Sequence, residues 1–273
     1  MSTSPRNTSP TSSVAHLPVD TVETVDKQAS CGGHGTHEMR QVIRTLEAEE
    51  IPCCACGVSA LMYYGAARVR THWEICVPPN MLELAETLLL DRHSSRYTRN
   101  SMAHQPDPHL RPCPHLKCIG INVSFILIPS HLVHIECQPS NFERSSNGIP
   151  YPALAVLIQS FLDRNDPVSL QDAVDGSNVT EEWGVSNLDL HGYTDTDWAH
   201  ERNAAISMEQ PDGRPIFLFG LVPEVPFKRK DLWESAVRTK KGRLGWKTPE
   251  TLFVTRFRLR NSSDPWLGHR ECC

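Results

Sequence analysis

The chain of 273 residues has no long hydrophobic run. No apolar stretch approaches the ~20 residues that a helix needs to cross a bilayer, and residues 1–36 contain no apolar centre like that of a secretory signal. We therefore expect a cytoplasmic protein with no membrane partner. Residues 1–36 are instead rich in Ser, Thr and Pro, a composition that predicts a disordered tail.

The cysteines lack a recognisable metal-binding pattern. The chain has ten cysteines, but no two pairs of them have the CxxC…CxxC spacing of a zinc site. The best alternative, Cys113 with His115 and Cys118, has no defined fourth ligand. Because free cysteine is often buried like a small hydrophobic residue, we predict cysteines in the core, and neither a metal nor another cofactor.

The apolar residues that are present indicate an α+β fold, without any internal repeat. Met39, Val42, Ile43 and Leu46 have helical spacing. We expect a mixed sheet with flanking helices over 37–145, a helical and basic part over 146–265 that packs on this core, and a tail over 266–273. The predicted helices are 37–50, 59–67, 81–90, 151–163, 167–174, 195–208 and 228–238. The predicted strands are 53–56, 73–77, 117–128, 132–137, 216–222 and 252–259. A long loop is predicted over 91–114.

The segment 51–79 carries the clearest chemical pattern. A glycine turn at Gly57 precedes a predicted helix, and His72 and Glu74 are two residues apart on the next strand, so both side chains point to one face. The start of the helix places free backbone N–H groups beside that face. Such a face can hold a phosphate, a metal or a substrate. With Glu136 from an adjacent strand, its carboxylates would suit Mg²⁺.

Charge is unevenly spread along the chain. Residues 163–201 contain ten acids and one arginine, whereas 228–260 contain eleven Lys and Arg residues and three acids. We call these segments the acidic block and the basic block, and we expect them to form two different surfaces. A basic surface suits nucleic-acid phosphates, with Trp233 and Trp246 available for stacking on bases. An acidic surface suits a guanidinium group, and Glu181 and Glu182 beside Trp183 are its most compact part.

Three short motifs follow one another in residues 38–137, and they are Gly57-Val58-Ser59, Tyr64-Gly65-Ala66-Ala67-Arg68 and His72-Trp73-Glu74. With them, residues 38–137 resemble the nucleotidyltransferase (DNA polymerase β-like) superfamily. That superfamily has a Gly-Gly or Gly-Ser turn, a helix that often ends in Y-G-x-x-R, and an Asp-x-Asp strand. Two departures are that Val58 separates Gly57 from Ser59 and that His72, a poor Mg²⁺ ligand, replaces the first acid. The resemblance implies this fold more strongly than it implies nucleotidyl transfer.

Three segments carry a further resemblance, and they are GVSALMYYGAARVRTHWEICVPP, GIPYPALAVLIQSFLD and EEWGVSNLDL. Together they look like a fungal family of secondary metabolism, the arginine-containing cyclodipeptide synthases, and the resemblance spans about residues 38 to 260. It implies an enzyme that joins arginine to a second amino acid, both delivered as aminoacyl-tRNAs, and that releases a diketopiperazine. The reaction requires two activated esters held close together and a base, such as His72 or Glu74, to deprotonate the attacking amine.

On this reading the candidate residues have three roles. The candidate catalytic residues are His72, Glu74, Glu136, Glu181 and Glu182. The candidate substrate-binding residues are Gly57, Ser59, Arg68, Arg70, Asp175 and Trp183. The candidate tRNA-binding residues are Lys228, Arg229, Lys230, Arg238, Lys240, Lys241, Arg243, Arg256, Arg258 and Arg260.

Two other functions are compatible with the same residues. One is an Mg²⁺-dependent nucleotidyltransferase that modifies RNA, a small molecule or a protein. The other is a non-catalytic protein that binds a nucleotide or a partner in the same cleft. The candidate residues also have structural alternatives, because a strand histidine is often only hydrogen-bonded and acids often only give solubility. The second amino acid and the oligomeric state stay open.

Overall fold

A mixed sheet of five strands forms the centre of the protein in the computed structural model, which describes residues 26–66, 68–100, 109–208 and 221–243. The strand order is β1-β2-β5-β4-β3, in which β2 and β5 are parallel and the other neighbours are antiparallel. A separate pair is formed by β6 and β7. The strands are β1 Cys54–Ala55, β2 Trp73–Val77, β3 Tyr97–Arg99, β4 His115–Cys118, β5 Ser124–Pro129, β6 Phe142–Arg144 and β7 Pro150–Pro152.

Helices surround the sheet, which confirms the α+β class. The helices are α1 Ser30–Gly33, α2 Thr36–Ala48, α3 Gly57–Tyr63, α4 Leu82–Thr87, α5 Leu154–Asp163, α6 Pro167–Ser177, α7 Glu181–Asn187, α8 Thr196–Met208, α9 Arg229–Arg238 and α10 Lys240–Arg243. Short 3₁₀ turns lie at Pro79–Met81, Ser130–Leu132 and Pro139–Asn141, and a π-helical turn follows α4 at Leu88–Arg92. Within these described residues no helix is long and apolar enough to cross a membrane.

One continuous core joins the sheet to the later helices. The four apolar residues of α2 are fully buried, as their spacing predicts, and they belong to the same buried cluster as Phe125 of β5, Leu157 of α5 and Trp233 of α9. The rings of Tyr63 and Tyr151 stack at 4.2 Å. The β6–β7 pair also bridges the predicted boundary at residue 145. The helical part therefore completes the core of the sheet.

The opposite face of the sheet carries most of the buried cysteines. Strand alternation sends Trp73, Ile75 and Val77 into the main core, and it sends Cys76 into a second cluster. That cluster also contains Cys54, Cys56, Cys113 and Cys137. All eight cysteines in the described residues are buried, so the predicted core role is confirmed for them. Burial raises the pKa of the Cys54 thiol to about 12, which keeps it protonated.

Several predicted elements differ from the structure. The segment 132–137 is not a strand: it forms a 3₁₀ turn and irregular chain, and β4 is the antiparallel partner of β5 instead. The predicted loop 91–114 contains β3. The helix predicted over 151–163 begins at Leu154, because residues 150–152 form β7.

Regular secondary structure also begins before residue 36, where the sequence predicts that the tail ends. Lys27 forms a β-bridge with Ile121, and α1 follows it. Asn80 lies inside a 3₁₀ turn, and Asp195 caps α8 through a 2.9 Å bond from the N–H of Trp198. The predicted strand 252–259 and nearly all of 216–222 lie outside the described residues.

Candidate functional site

The centre of the candidate site is the contact between the start of α3 and Glu74, near the start of β2. Gly57 has a φ of +53°, and a Cβ atom there would lie 1.8 Å from Oε2 of Glu74. The Glu74 carboxylate therefore packs directly on the glycine Cα. The N–H of Cys56 donates to the Glu74 carbonyl over 2.9 Å and joins the two segments. A carboxylate thus occupies the place beside the turn where the sequence predicts a phosphate.

His72 lies on the same face as Glu74, as strand alternation predicts. Its Nε2 is 3.9 Å from Oε1 of Glu74, and each side chain is 13% exposed. Its Nδ1 lies 3.0 Å from the hydroxyl of Thr71. A small cavity of about 60 Å³ adjoins His72, with room for about two water molecules. The pair is largely enclosed and still reaches solvent, which suits proton exchange with a bound substrate.

Ser59 and Arg70 are bound to each other and to the chain. Arg70 donates to Oγ of Ser59 over 3.2 Å and to the carbonyl of His34 over 2.8 Å. Its guanidinium also lies 3.4 Å above the Trp73 ring, a favourable cation–π geometry. Trp73 donates to the same His34 carbonyl over 3.0 Å. These contacts fix the chain before α2 to the start of α3, so both predicted substrate-binding residues have a structural role.

Arg68 pairs with Asp172 of α6. Burial raises the pKa of Asp172, although the adjacent Arg68 opposes this effect. The pair connects the turn after α3 to the helical part. Arg68 therefore does not contact Glu74 through its guanidinium, and the predicted substrate-binding role has no support from its position.

The placement of Glu136 on a strand next to Glu74 is wrong. The residue follows the 3₁₀ turn Ser130–Leu132 in irregular chain, where its side chain is exposed and accepts a bond from Gln138. The neighbours of β2 in the sheet are β1 and β5. Glu136 therefore does not join Glu74 on neighbouring strands of the sheet.

The acidic block does not present free carboxylates at two of the three predicted positions. Asp175 accepts two hydrogen bonds from Arg243, at 2.9 and 2.8 Å. Glu181 accepts two from Arg238, at 3.2 and 2.9 Å. Each of these acids thus holds an arginine of the chain itself in the bidentate geometry that we predicted for a substrate.

Glu182 and Trp183 differ from these two acids. Glu182 is exposed in the first turn of α7, and backbone hydrogen bonding followed by the Thr180 hydroxyl lowers the pKa of its carboxyl. Trp183 is half-buried and lies 6.1 Å from Trp233, ring to ring. Trp233 itself is fully buried and donates to the Glu181 carbonyl over 3.3 Å. Trp233 is therefore a core residue, and its predicted stacking on RNA bases is wrong.

The basic block largely packs against the acidic block. Arg229 pairs with Asp163 at 2.7 Å and with Asp189 at 3.0 Å. Lys240 donates to the Asn178 side chain over 2.8 Å and to the Val179 carbonyl over 3.0 Å. With Arg238 and Arg243, three arginines of the described basic block pair with acids of the acidic block, whereas Lys240 donates to neutral acceptors. The expectation of two separate surfaces is wrong for these residues.

The remaining predicted tRNA-binding residues are less informative. Lys228 is exposed, and Lys230 lies 3.8 Å from Glu234 on the same helix. Lys241 belongs to α10, and the structure describes only its backbone. Arg256, Arg258 and Arg260 lie outside the described residues.

Sequence reasoning missed a second polar pair. Nε2 of His134 lies 3.0 Å from Oδ2 of Asp195, and the imidazole makes an edge contact with the Trp198 ring at 5.2 Å. Burial tends to raise the pKa of Asp195, but the N–H of Trp198 and then His134 hold it below its ordinary value. The two residues are 61 positions apart, and no local sequence signal connects them.

The part of the chain that the structure describes contains no cluster of side chains that could bind a metal. No group of three or more His, Cys, Asp or Glu side chains is arranged there to hold a metal. His115 is 2.9 Å from the Leu110 carbonyl, and Cys113 and Cys118 belong to different buried clusters. The three residues with the best sequence spacing therefore do not converge.

Comparison with known proteins adds no assignment. No protein-family model matches the chain, and no curated protein matches it. The candidate site thus depends on the residues and their geometry alone.

Proposed function

We propose that this protein is a tRNA-dependent cyclodipeptide synthase that joins arginine and a second amino acid into a diketopiperazine. The observation that carries the proposal is the carboxylate of Glu74, seated on Gly57 with His72 3.9 Å away. This arrangement lies within the segment that resembles the arginine-containing cyclodipeptide synthases. It supplies a largely enclosed proton acceptor beside a glycine turn.

Glu74 acts as the general base in this proposal. The α-amine of one aminoacyl-tRNA attacks the ester carbonyl carbon of the other, so that a C–N bond forms and the ester C–O bond breaks. Glu74 takes the proton from the amine and returns it to the ribose oxygen that leaves. The free amine of the dipeptidyl ester then attacks the remaining ester in the same manner and closes the ring. Proximity of the two esters supplies much of the rate.

In this proposal neither Asp175 nor Glu181 recognises the arginine of the substrate. Both of these carboxylates are already bound by arginines of the chain, Asp175 by Arg243 and Glu181 by Arg238. Glu182 is the solvent-exposed member of the predicted acidic set in α7. We assign the guanidinium contact to Glu182, beside the half-buried ring of Trp183.

Expression in a host with normal aminoacyl-tRNAs tests the proposal. We expect arginine-containing diketopiperazines by mass spectrometry, and product formation in a lysate should be sensitive to RNase. Glu74→Gln should lower product formation about 100-fold, within the range expected for loss of a general base. Glu83→Gln, at an exposed acid of α4, is the matched control and should retain activity. Soluble wild-type protein without product would count against the proposal.

The alternative that one observation favours is a divalent-metal-dependent nucleotidyltransferase. An acid packed beside the glycine turn fits the pattern of that superfamily, although the carboxylate occupies the place of the phosphate. This alternative predicts NTP consumption that requires Mg²⁺ and is lost in Glu74→Ala. Calorimetric titration with Mg²⁺ separates the two functions, because on our proposal His72→Asp binds the ion more tightly than the wild type does.

A further inference from the structure

An open groove lies on the side of α2 that faces away from the core. Met39, Val42, Ile43 and Leu46 turn one face of α2 inward, and the opposite face forms one wall of the groove. The other wall is the turn before β3. The groove has a volume of about 560 Å³, and its charged or titratable lining residues are His37, Arg40, Arg44, Glu49, His93 and Arg96. It is separate from the Gly57–Glu74 contact, since the two share no lining residue.

Three arginines give this groove its chemistry. Arg40 and Arg44 are one helical turn apart on α2, so their side chains follow each other along the same wall, and Arg96 faces them from the other wall. Among the residues that the structure describes, none of the three has an acid within the 4.0 Å that defines an ion pair. Most other described arginines are paired, as Arg99 is with Glu86 at 2.7 Å.

The acids in α2 and directly after it do not compensate this charge, and Glu38 accepts hydrogen bonds from the N–H and the hydroxyl of Ser30. Glu47 pairs with Arg144, and Glu49, the acid in the groove lining, pairs with Arg92 at 3.2 Å. Both carboxylates are thus satisfied by arginines outside the set of three. The groove therefore retains an excess of positive charge, in contrast to the basic block, whose described arginines are neutralised by the acidic block.

We propose that this groove binds the phosphodiester backbone of an RNA. Guanidinium groups match phosphate oxygens with two parallel hydrogen bonds, and an open polar groove suits a charged strand better than an apolar small molecule. None of the large exposed hydrophobic residues of the described chain lines the groove, so a membrane surface would gain no apolar contact there. That the RNA is a tRNA rests on the proposed function.

Binding of an uncharged tRNA transcript by the purified full-length protein tests the inference. We expect Arg40→Gln/Arg44→Gln to weaken binding at least tenfold in fluorescence anisotropy. The slope of log K against log salt concentration should fall by about 1.5, because each lost phosphate contact removes roughly 0.7 to 0.9. The matched control, Lys27→Gln/Arg99→Gln, removes the same charge outside the groove and should change affinity less than twofold. Circular dichroism verifies that both variants are folded.

The outcomes separate this inference from the proposed function. Equal losses in the groove variant and its control would overturn the groove, even if the wild type makes the diketopiperazine. Selective loss in the groove variant without any diketopiperazine from the wild type would support the RNA site and reject the synthase. Equal binding of polyglutamate or of phosphatidylserine vesicles would overturn recognition of RNA.

Discussion

At the scale of the residue, the contact of Gly57 with Glu74 is the feature on which the account depends. A Cβ atom on Gly57 would meet the end of a rotatable side chain, so an alanine there displaces the carboxylate more than it strains the core. Gly57 is therefore a positioning residue for Glu74. Its left-handed φ adds a second reason for glycine.

The first prediction separates these two reasons. Gly57→Ala and Gly120→Ala both place alanine at positive φ, but Gly120 has nothing within 4 Å of its added Cβ. Each should cost about 1 kcal/mol of unfolding free energy, as measured by urea denaturation. Product formation should fall about 100-fold in Gly57→Ala only, like the loss of the base itself. Unchanged product formation in folded Gly57→Ala would show that the contact is not needed.

The second prediction concerns the buried thiols. Burial raises the pKa of Cys54 and of Cys118 to about 12, so neither is a thiolate at pH 8. We expect no alkylation of these two residues by iodoacetamide in the native protein at pH 8, as mapped by peptide mass spectrometry, and full alkylation in urea. Rapid labelling of native Cys54 would contradict its burial.

The same shifts give a direction for stability at alkaline pH. The thiols ionise near pH 8.5 in the unfolded chain and only near pH 12 in the folded protein. Their ionisation therefore favours the unfolded state, and its effect is absent below the unfolded pKa. The unfolding free energy should decrease as pH rises from 8.5 to 10, and Cys54→Ala should reduce that decrease.

The polar pair of His72 and Glu74 at the start of β2 could be predicted from sequence, whereas the partners of most other candidate residues could not. His72 and Glu74 share a face because strand alternation is local. The partners of Asp175 and Glu181 come from α9 and α10, more than fifty residues later. Charge counts along the sequence contain no information on such distant pairing.

At the scale of the element, the segment 132–137 shows why alternation is not sufficient for a strand. Val133, Ile135 and Cys137 alternate and are buried in the cysteine cluster. Their backbone, however, forms local turns, in which the N–H groups of Val133 and Ile135 both donate to the Ser130 carbonyl. The apolar pattern predicted the buried side chains correctly. The segment is not a strand because its backbone N–H groups bond locally instead of to a neighbouring strand.

Helix α7 gives the third prediction, because Gly184 lies where Trp233 of α9 approaches. A Cβ atom on Gly184 would be 2.1 Å from Cε2 of the fully buried Trp233 ring. Gly184→Ala should lower the unfolding free energy by about 2 kcal/mol through overpacking, although alanine favours the helix by about 1 kcal/mol. Val185→Ala, at the 69% exposed next position, should be neutral within about 0.5 kcal/mol. Equal stability of both variants in urea would refute this packing.

The fourth prediction compares two ion pairs between the blocks. The Arg243–Asp175 pair is enclosed, with side chains only 11% and 16% exposed, whereas the Arg238–Glu181 pair is 59% and 37% exposed. Arg243→Met should lower the unfolding free energy by about 3 kcal/mol, because it leaves a buried carboxylate without its partner. Arg238→Met should have a much smaller effect, since solvent screens that pair. A similar loss in both variants, measured by urea denaturation, would contradict this ranking.

At the scale of the whole molecule, the structure changes the meaning of the charge distribution. The acidic and basic blocks, which we expected to bind a substrate and a tRNA, hold α6, α7, α9 and α10 together. The α+β class and the packing of the helical part on the sheet could be predicted, because apolar periodicity reports burial. The positively charged groove on α2 could not be predicted, because its charge depends on which acids already pair with other arginines.

Reconstitution with purified components tests the central claim most directly. Arginyl-tRNA and a second aminoacyl-tRNA, prepared beforehand with isotopically labelled arginine, are mixed with wild type, Glu74→Gln or Glu83→Gln without ATP or any other nucleoside triphosphate. We predict a labelled arginine-containing diketopiperazine with wild type and Glu83→Gln, and about 100-fold less with Glu74→Gln. Folded wild-type protein that forms no labelled diketopiperazine, or a Glu74→Gln variant as active as wild type, would contradict the account.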